Sequence, residues 1–492
     1  MPSVNAESPR KEVMELRTRL LIGGEWLDGT SRFPTVNPAT EEVIAEVEEA
    51  GVAEVDAAVR SAREAFEDPA WRDLDPHRRA ALLWRLADLV EENLEFIAEL
   101  ETRDNGKPAF ESARVDLPFV VSNFRYFAGW ADKLAGDVIP VSGPFLNYTL
   151  REPLGVIGAI IPWNFPLNIA SWKLAPALAC GNAVILKPAE ETPLTALLLG
   201  ELALEAGFPP GIVNVIPGRG PVTGQAMVEH PGIDKIAFTG STETGRIVMR
   251  TAAESLKKVS LELGGKSPNV VFADADLGAA VRGAITGIFY GKGEVCAAGS
   301  RLFVEASIKD EFMEQLASKA AGMMVGDPRH PKTRLGAIVS KGQHERVLSY
   351  IEAGIAEGAT LRTGGQAATV DGRGYFVEAT VFDDVTPDMK IAREEIFGPV
   401  LATLAFDDMD DAVAQANQTI YGLAAGVWTR DVGKAHRFAR AVRAGTVWIN
   451  TYNRYDPGSP FGGFKQSGFG RDLGERALEE YTQTKSVWVA LD

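Results

Sequence analysis

The sequence predicts an α/β protein of two or three domains. The chain of 492 residues is longer than the ~250–300 residues at which a single hydrophobic core stops growing. Short β-rich runs alternate with helical runs from "LGVIGAII" to "KVSLEL", a pattern typical of a parallel sheet with helices on both faces. A second alternating series begins at "NVVFADADLG" and ends near "GTVWIN". It predicts a second α/β domain.

Taken in order, the elements begin after a loose tail that we expect at residues 1–19. Apolar residues at helical spacing fill "VAEVDAAVRSAREAFE" and "RRAALLWRLADLVEENLEFIAELE". In the first alternating series, the predicted helices are "NIASWKLAPALA", "TALLLGELALEAG", "GQAMVE" and "TETGRIVMRTAAE". The final "TQTKSVWVAL" reads as a strand after a glycine-rich loop. Because an exposed terminal strand invites pairing, we expect subunit contacts there.

Composition excludes several classes of protein. Lys and Arg number 50 against 67 Asp and Glu, for a net charge of −17, and no basic stripe favours nucleic-acid binding. Two cysteines, Cys180 and Cys296, are too few for a disulfide framework and indicate a reducing compartment. The longest apolar run, Leu154 to Trp163, is shorter than the ~20 residues that cross a bilayer. We therefore expect a cytoplasmic protein without membrane contact.

Cys296 stands in "GKGEVCAAGS", among residues too small to bury it well. Backbone N–H groups in such a run would stabilise a thiolate and lower the thiol pKa, which favours a nucleophile. The alternative is a cysteine that only packs, as we expect for Cys180 on an apolar helix end. None of the five histidines is adjacent to Cys296 or forms a metal-spaced pair. No metal is therefore expected, and a carboxylate base remains open.

Two further polar residues stand beside strands or rigid turns. Glu262 in "LELGGKSPNVVF" is either a general base in a partly dry turn or a strand-end carboxylate in water. Asn164 lies between two prolines in "IIPWNFPL", and it is either a fixed oxyanion donor or a turn asparagine.

Two strand-to-helix junctions suit a nucleotide. In "FTGSTETG", Gly240 and Ser241 stand at a turn whose backbone amides would attract phosphate. In "LKPAEETP", Lys187 and Glu190 follow a strand, and a carboxylate there would bind a ribose diol and repel a 2′-phosphate. The G-x-G-x-x-G pattern is absent, so each signal alone is weak.

Together, these motifs resemble the NAD(P)-dependent aldehyde dehydrogenase superfamily from about Leu20 to the end of the chain. The matching runs are "IPWNFP", "KPAEETP", "FTGSTETGR", "LELGGKSPN", "GEVCAAGSR", "EEIFGPV" and "SPFGGFKQSGFGRDLG". The resemblance implies a Rossmann-like cofactor domain (20–132 and 153–263), an α/β catalytic domain (264–465) and a small β oligomerisation element (133–152 and 466–492). It also implies homodimers or homotetramers.

The same resemblance implies a reaction. Cys296 would attack the aldehyde carbon, and its own backbone N–H and the Asn164 amide would hold the oxyanion. Hydride would leave for the nicotinamide, and Glu262 would activate water to release the carboxylic acid from the thioester. The product of an aldehyde and NAD is then a carboxylic acid and NADH.

The resemblance also assigns cofactor contacts. Ser241 with Gly240 would meet the pyrophosphate, Lys187 and Glu190 the adenosine ribose, and Glu395 the nicotinamide ribose with Phe397 beside it. Less decisive matches are Ile161, Trp163, Gly220, Leu263 and Gln343. Glu190 favours NAD over NADP because its charge would repel a 2′-phosphate.

Seven residues match the family's substrate tunnel: Phe165, Ile169, Trp172, Tyr290, Val295, Tyr455 and Phe461. Aromatic walls predict an apolar or aromatic aldehyde, although any one of these side chains could simply complete a core. Arg454 is an unusual charge for its loop, and we expect it at the surface or a subunit interface rather than at an acidic substrate group. Glu294 departs from the glutamine that the family commonly has there. We expect it to point away from Cys296, with Lys292 offsetting its charge.

Three other functions remain open. A CoA-acylating semialdehyde dehydrogenase would lack the glutamate that matches Glu262. A non-catalytic relative would be expected to have lost Cys296, Glu262 or Asn164. A thiol hydrolase would have no use for the cofactor residues.

Overall fold

The computed structural model describes residues 16–491 of the chain. Within that range, its strands in chain order are β1 (Leu20–Ile22), β2 (Glu25–Leu27), β3 (Ser31–Asn37), β4 (Glu42–Glu49), β5 (Val138–Ile139), β6 (Phe145–Pro153), β7 (Val156–Ile160), β8 (Ala183–Lys187), β9 (Val213–Val215), β10 (Lys235–Thr239), β11 (Lys258–Glu262), β12 (Pro268–Val271), β13 (Arg301–Glu305), β14 (Thr360–Thr363), β15 (Ala367–Val370), β16 (Arg373–Val377), β17 (Thr380–Asp383), β18 (Val400–Phe406), β19 (Ala424–Trp428), β20 (Thr446–Ile449), β21 (Gly468–Phe469) and β22 (Thr482–Ala490).

The α-helices between them are α1 (Val52–Glu67), α2 (Pro69–Arg72), α3 (Pro76–Glu92), α4 (Leu94–Asn105), α5 (Ala109–Glu111), α6 (Leu117–Ala128), α7 (Pro166–Ala179), α8 (Leu194–Ala206), α9 (Gln225–Glu229), α10 (Thr242–Ala253), α11 (Leu277–Phe289), α12 (Lys309–Ala321), α13 (Lys341–Ala356), α14 (Lys390–Arg393), α15 (Met409–Asn417) and α16 (Val432–Ala441). Short π-helical turns (Ser112–Asp116, Gly220–Gly224) and 3₁₀ turns (Tyr290–Gly293, Ala306–Ile308, Lys465–Ser467, Glu475–Tyr481) complete the set.

The first large sheet has the strand order β2-β1-β9-β8-β7-β10-β11-β21. Strands β9, β8, β7, β10 and β11 are parallel, as the sequence predicts, whereas β1, β2 and β21 pair antiparallel at the two ends. β7, β8 and β10 are buried along their whole length. Their continuous apolar runs are what a strand covered on both faces requires.

The second large sheet has the order β14-β17-β18-β13-β12-β19-β20. All neighbours in it are parallel except the pair β14 and β17. This sheet corresponds to the second alternating series of the sequence. Each large sheet is therefore mixed, with a parallel centre and antiparallel strands only at its ends.

A small third sheet joins distant parts of the chain in the order β22-β6-β5. β22 pairs antiparallel with β6 from Thr482 opposite Pro153 to Ala490 opposite Phe145. The terminal strand predicted from "TQTKSVWVAL" is confirmed, and one of its edges is covered by its own chain.

The helical segment predicted from "RRAALLWRLADLVEENLEFIAELE" forms two helices instead of one continuous run. Asn93 leaves helical geometry between α3 and α4, and its side-chain Nδ2 donates to the Leu89 carbonyl at 2.8 Å. The asparagine side chain competes with the helical backbone for that carbonyl.

Candidate active site

The loop that carries Cys296 has an unusual backbone. Gly291, Lys292 and Gly293 adopt left-handed conformations in succession, with φ of 57°, 62° and 74°. A Cβ atom at Gly293 would lie 2.1 Å from the Gly398 carbonyl oxygen, and one at Gly265 would lie 2.3 Å from the Cys296 carbonyl oxygen. The glycines of "GKGEVC" and "LELGG" therefore let three backbone segments pack closely around the cysteine.

Cys296 lies on the walls of two separate cavities. We call the first, of about 440 Å³, the aromatic cavity, because rings from distant segments line it. The second, of about 510 Å³, we call the polar cavity, and it extends to the start of α10. Cys296 and Ile169 are the two residues common to both walls.

All seven residues predicted for a substrate tunnel line the aromatic cavity: Phe165, Ile169, Trp172, Tyr290, Val295, Tyr455 and Phe461. Their rings pack on one another. Phe165 stacks on Tyr290 with centroids 6.1 Å apart, and the Trp172 and Phe461 rings meet edge to face at 5.4 Å. Phe119, Trp428 and Tyr452 extend the wall. The sequence offered no motif for these three.

Most predicted cofactor residues line the polar cavity. They are Trp163, Gly240, Ser241, Leu263, Gln343, Glu395 and Phe397, together with Asn164, Glu262 and Cys296. Ile161, Lys187, Glu190 and Gly220 do not lie on this wall. The backbone N–H of Ile161 instead donates to the Lys187 carbonyl at 3.1 Å.

Lys187 and Glu190 form a second group at the end of β8. The Lys187 ammonium is buried, and it lies 3.8 Å from the Glu190 carboxylate, which is 37% exposed. Gly220 begins a π-helical turn that ends at Gly224. A Cβ atom added to Gly224 would lie 3.8 Å from the Lys187 side chain. These residues are neighbours of each other but stand outside the cavity that holds Cys296.

Ser241 begins α10 on the wall of the polar cavity. Its side-chain oxygen accepts from the Thr244 N–H at 3.1 Å and so caps the helix. The N-terminus of this helix of 12 residues carries a partial positive charge and backbone N–H donors. That end of the cavity is suited to an anion such as a phosphate.

Glu395 and Phe397 close the other side of the polar cavity. One Glu395 oxygen accepts from the Gly265 N–H at 2.8 Å, and burial raises the pKa of this carboxyl to about 7. Phe397 has a left-handed φ of 62°. Gln343 holds its turn by donating to the Phe397 carbonyl at 2.7 Å. The Phe397 ring meets Trp163 edge to face at 5.2 Å.

Glu262 ends β11 with its side chain buried beside Cys296. Burial raises its carboxyl pKa to about 8, while the Lys173 ammonium and a hydrogen bond to the Cys296 thiol act in the lowering direction. Its Oε1 has no hydrogen-bond partner among the described residues. A carboxylate poised near neutral pH and held beside a thiol can accept a proton from it.

The expectation of a lowered thiol pKa at Cys296 is wrong for the free protein. The side chain is half-buried, and burial together with the nearby Glu262 and Glu395 carboxylates raises the thiol pKa well above its ordinary value. The small residues adjacent to Cys296 in sequence suggested an open site, but distant aromatic side chains supply the cover. A proton acceptor is therefore needed before the sulfur can attack.

Asn164 is buried on the wall of the polar cavity. Its Nδ2 donates to the Glu294 backbone carbonyl at 2.9 Å, and its Oδ1 has no partner in the described part of the chain. Because an amide nitrogen carries two hydrogens, this bond fixes the side chain and leaves one donor.

Lys173 and Asp472 form an ion pair that the sequence analysis missed. The Lys173 ammonium on α7 lies 2.5 Å from the Asp472 carboxylate, and both side chains are buried. Lys173 lowers the Glu262 pKa and Asp472 raises it. This pair therefore tunes the candidate base without touching the cavity that holds Cys296.

Glu294 points away from Cys296, as expected. Its carboxylate accepts from the Val339 N–H at 3.1 Å and lies 2.7 Å from the Lys292 ammonium. Arg454 is exposed, as expected, and it also lines the aromatic cavity.

Within residues 16–491, no cluster of three or more His, Cys, Asp or Glu side chains is arranged to hold a metal ion. No helix in that same range combines the length and apolar character needed to span a membrane.

Comparison with known proteins agrees with this geometry. The model of the aldehyde dehydrogenase family matches residues 26–487. Human retinal dehydrogenase 2 is 50% identical over 488 residues, which cover 98% of this chain and 94% of that protein. Human mitochondrial aldehyde dehydrogenase is 50% identical over 486 residues, which cover 98% and 94% respectively.

A solved structure of the NAD⁺ complex of an aldehyde dehydrogenase from Bacillus cereus superposes with a TM-score of 0.95. It is 50% identical to this chain, and the match covers 97% of each chain. An indole-3-acetaldehyde dehydrogenase from P. syringae, solved with NAD⁺, superposes with a TM-score of 0.96 at 46% identity, over 97% of this chain and 98% of that one. With the fold, both cavities and the family match in agreement, this chain belongs to the aldehyde dehydrogenase family.

Proposed function

We propose that this aldehyde dehydrogenase oxidises an aldehyde to its carboxylic acid with NAD, through a covalent adduct on Cys296. The observation that carries the proposal is the position of Cys296 on the walls of both cavities. A sulfur there can bond to a carbonyl carbon that enters through one cavity while a cofactor occupies the other.

The polar groups that line the polar cavity suit NAD. The α10 N-terminus with Ser241 suits the pyrophosphate, and Glu395 suits a ribose diol. Gly264 leaves room for Glu395, because a Cβ atom there would lie 2.3 Å from its carboxylate. Thr239 Oγ1, buried and without a partner among the described residues, also faces this cavity. When bound, NAD supplies the hydride acceptor.

Glu262 performs the first proton transfer. The carboxylate takes the thiol proton as the sulfur forms its bond to the aldehyde carbon, and the carbonyl oxygen becomes an oxyanion. The free N–H of Asn164 Nδ2 and the backbone N–H of Cys296 donate to that oxygen. Placing donors at the developing charge in a site with little water is among the largest contributions to such rates.

Glu262 then acts a second time, on the thioester that remains after oxidation. It first releases the thiol proton to solvent, which restores the carboxylate. It then accepts a proton from a water molecule, and the resulting oxygen nucleophile attacks the thioester carbon. The carbon–sulfur bond breaks, the acid leaves and the sulfur is regenerated. Its pKa of about 8 lets Glu262 accept and release protons near physiological pH.

Cofactor choice follows from Glu190. Its carboxylate, partly exposed beside Lys187, would repel the 2′-phosphate of NADP. Ile161, Lys187 and Gly220 stay proposed contacts of the adenosine half, which extends beyond the polar cavity. We therefore propose NAD over NADP. A higher specificity constant with NADP would contradict this choice.

The rival functions have less support. The resemblance implies that a CoA-acylating enzyme would lack the glutamate that matches Glu262, whereas Glu262 is present here and lies beside Cys296. A thiol hydrolase needs no polar cavity ending at a helix N-terminus. A non-catalytic relative would not require a half-buried thiol beside a carboxyl of raised pKa.

We also propose a homodimer or homotetramer assembled through the element at 133–152 and 466–492, next to a cofactor domain (20–132, 153–263) and a catalytic domain (264–465). The small sheet of β5, β6 and β22 supports this because it exposes Phe145, Trp488 and Val489. A cytoplasmic location stays a proposal based on the low cysteine content.

The function is tested by mixing the protein with NAD and aliphatic, aromatic and acidic aldehydes while following NADH absorbance. The proposal expects NADH with at least one aldehyde, independently of CoA, and none from Cys296→Ala. NADH formation that requires CoA, or equal turnover by Cys296→Ala, would contradict it.

A further inference from the structure

The opening of the aromatic cavity carries two cations. The exposed residues on its wall are Val115, Arg282, Thr286, Asn450 and Arg454, whereas Trp172, Val295 and Phe461 are buried. The exposed group therefore marks the solvent end and the buried group the end near Cys296. The wall changes from rings at the inner end to guanidinium groups at the outer end.

Neither guanidinium is neutralised by this chain. Within residues 16–491, no carboxylate lies within 4.0 Å of the Arg282 or Arg454 side chain. The nearest acid in sequence to Arg282 on its helix is Asp276, which caps α11 by accepting from the Ala279 N–H at 2.9 Å. These two cations stand at the opening although the protein as a whole has a net charge of −17.

Asp116 is the single acidic residue on the described cavity wall, and it is already paired. Its Oδ2 lies 2.7 Å from the buried Lys107 ammonium, and its Oδ1 accepts from the Tyr290 hydroxyl at 2.7 Å. Asp116 therefore does not offset the arginines. The cavity has a net positive outer end and an apolar inner end.

We propose that the substrate is an aldehyde with an apolar body and an anionic group at the end remote from the carbonyl, and that Arg282 and Arg454 select it. This inference rests on the proposed function, because the carbonyl carbon must reach Cys296 at the inner end. The remote end of an extended substrate then lies at the opening, beside the two guanidinium groups. Arginine is suited to a carboxylate because its fork of donors can bind both oxygens.

The size of the effect is limited by solvent. An exposed guanidinium–carboxylate pair changes an affinity by up to about fivefold, so the two arginines together are worth roughly tenfold or somewhat more. The contribution falls as salt screens the charges, and at about 1 M salt the Debye length is only about 3 Å. Because the two arginines act when the substrate binds, they should lower KM for the anionic aldehyde more than they change kcat.

The test uses ω-oxo acids of increasing chain length and the methyl ester of each, which keeps the body and removes the charge. The measured quantity is the ratio of kcat/KM for the acid to that for its ester, at low salt and at about 1 M salt. We expect a ratio above one at low salt, a maximum at one chain length, and a fall towards one at high salt. A ratio at or below one at every length would overturn the inference.

Three variants sharpen the test. Arg282→Gln and Arg454→Gln should each lower the ratio by up to about fivefold, and Arg454→Glu should lower it further. Arg440→Gln on α16, an exposed arginine outside both cavities, is the matched control and should leave the ratio as it is. Equal ratios in all variants would overturn the roles of the two arginines.

Failure of this inference is distinguishable from failure of the proposed function. If the esters are oxidised with NAD and the acids are not preferred, the substrate class is wrong and the reaction stands. If neither series yields NADH at any length, and simple aldehydes also fail, the proposed function itself is wrong.

Discussion

The Lys292 ammonium lies 2.7 Å from the Glu294 carboxylate, and both side chains are buried directly before Cys296. Lys292 also donates to the carbonyl and side-chain oxygens of Asn105 at 2.9 and 3.0 Å. The backbone carbonyl of Glu294 accepts from Asn164. One ion pair thus joins the loop of the nucleophile to helix α4 and to the candidate oxyanion donor.

Breaking this pair should destabilise the protein. We expect Lys292→Met or Glu294→Gln alone to cost about 3 kcal/mol because each leaves a buried polar partner uncompensated, and the double variant to cost less than the sum. Melting temperatures of the four proteins measure this. The exposed pair Arg476–Glu479 is the matched control, since its loss should cost under about 1 kcal/mol. Strictly additive shifts would show that Lys292 and Glu294 do not interact.

Turnover should depend on pH through Glu262. The folded-state pKa is raised to about 8, so the carboxyl is protonated below that pH and cannot accept a proton. When hydrolysis of the thioester limits the rate, kcat should rise with pH around a midpoint near 8 and level off above it. A profile that is flat between about pH 6 and 9 would contradict the role of Glu262 as the base.

The pair behind Glu262 should move that midpoint in opposite directions. Lys173→Met removes a charge that lowers the Glu262 pKa, so the midpoint should shift to higher pH. Asp472→Asn removes a charge that raises the pKa, so the midpoint should shift to lower pH. The pH dependence of kcat in both variants measures the shifts. Shifts of the same sign would mean that structural disturbance, and not charge, is the cause.

Asn164→Ala should slow acylation without preventing cofactor binding. Removing one oxyanion donor typically costs about a hundredfold to a thousandfold in rate, and we expect that loss in the first turnover. Stopped-flow measurement of the NADH burst separates acylation from later steps, and quenching of protein fluorescence reports binding of NAD. A burst rate within about threefold of the parent protein would exclude Asn164 as a donor.

The sequence predicted those parts of the structure whose signals are local. The run around Val156–Ile160 is continuously apolar, and it forms a fully buried strand. Strands β1, β2 and β21 were missed because two or three residues carry no periodicity. Asn93 is a polar residue inside an apolar repeat, and the sequence alone did not predict that α3 ends there. The hydrogen bond from its side chain to the Leu89 carbonyl explains the break between α3 and α4.

In the candidate site, too, the sequence predicted the residues that belong to local motifs and missed the contacts between distant segments. Motifs identified Cys296 and Glu262, and the structure brings them together. The electrostatics of the thiol could not be read from its neighbours, because the side chains that bury it come from distant segments. Lys173 and Asp472 are 299 positions apart. Lys173 reads as one polar residue in an apolar helix and Asp472 as part of a glycine-rich loop, so nothing local predicts that they meet.

The most direct test of the account is mass spectrometry of Glu262→Gln mixed with NAD and an aldehyde that the parent protein oxidises. Because Glu262 accepts both the thiol proton and the water proton, the variant should form NADH more slowly than the parent protein, reach about one NADH per active site and then stall, with the acyl group held on the peptide that contains Cys296. An unmodified Cys296 peptide after the burst, or an acyl group on another residue, would contradict covalent catalysis at this cysteine.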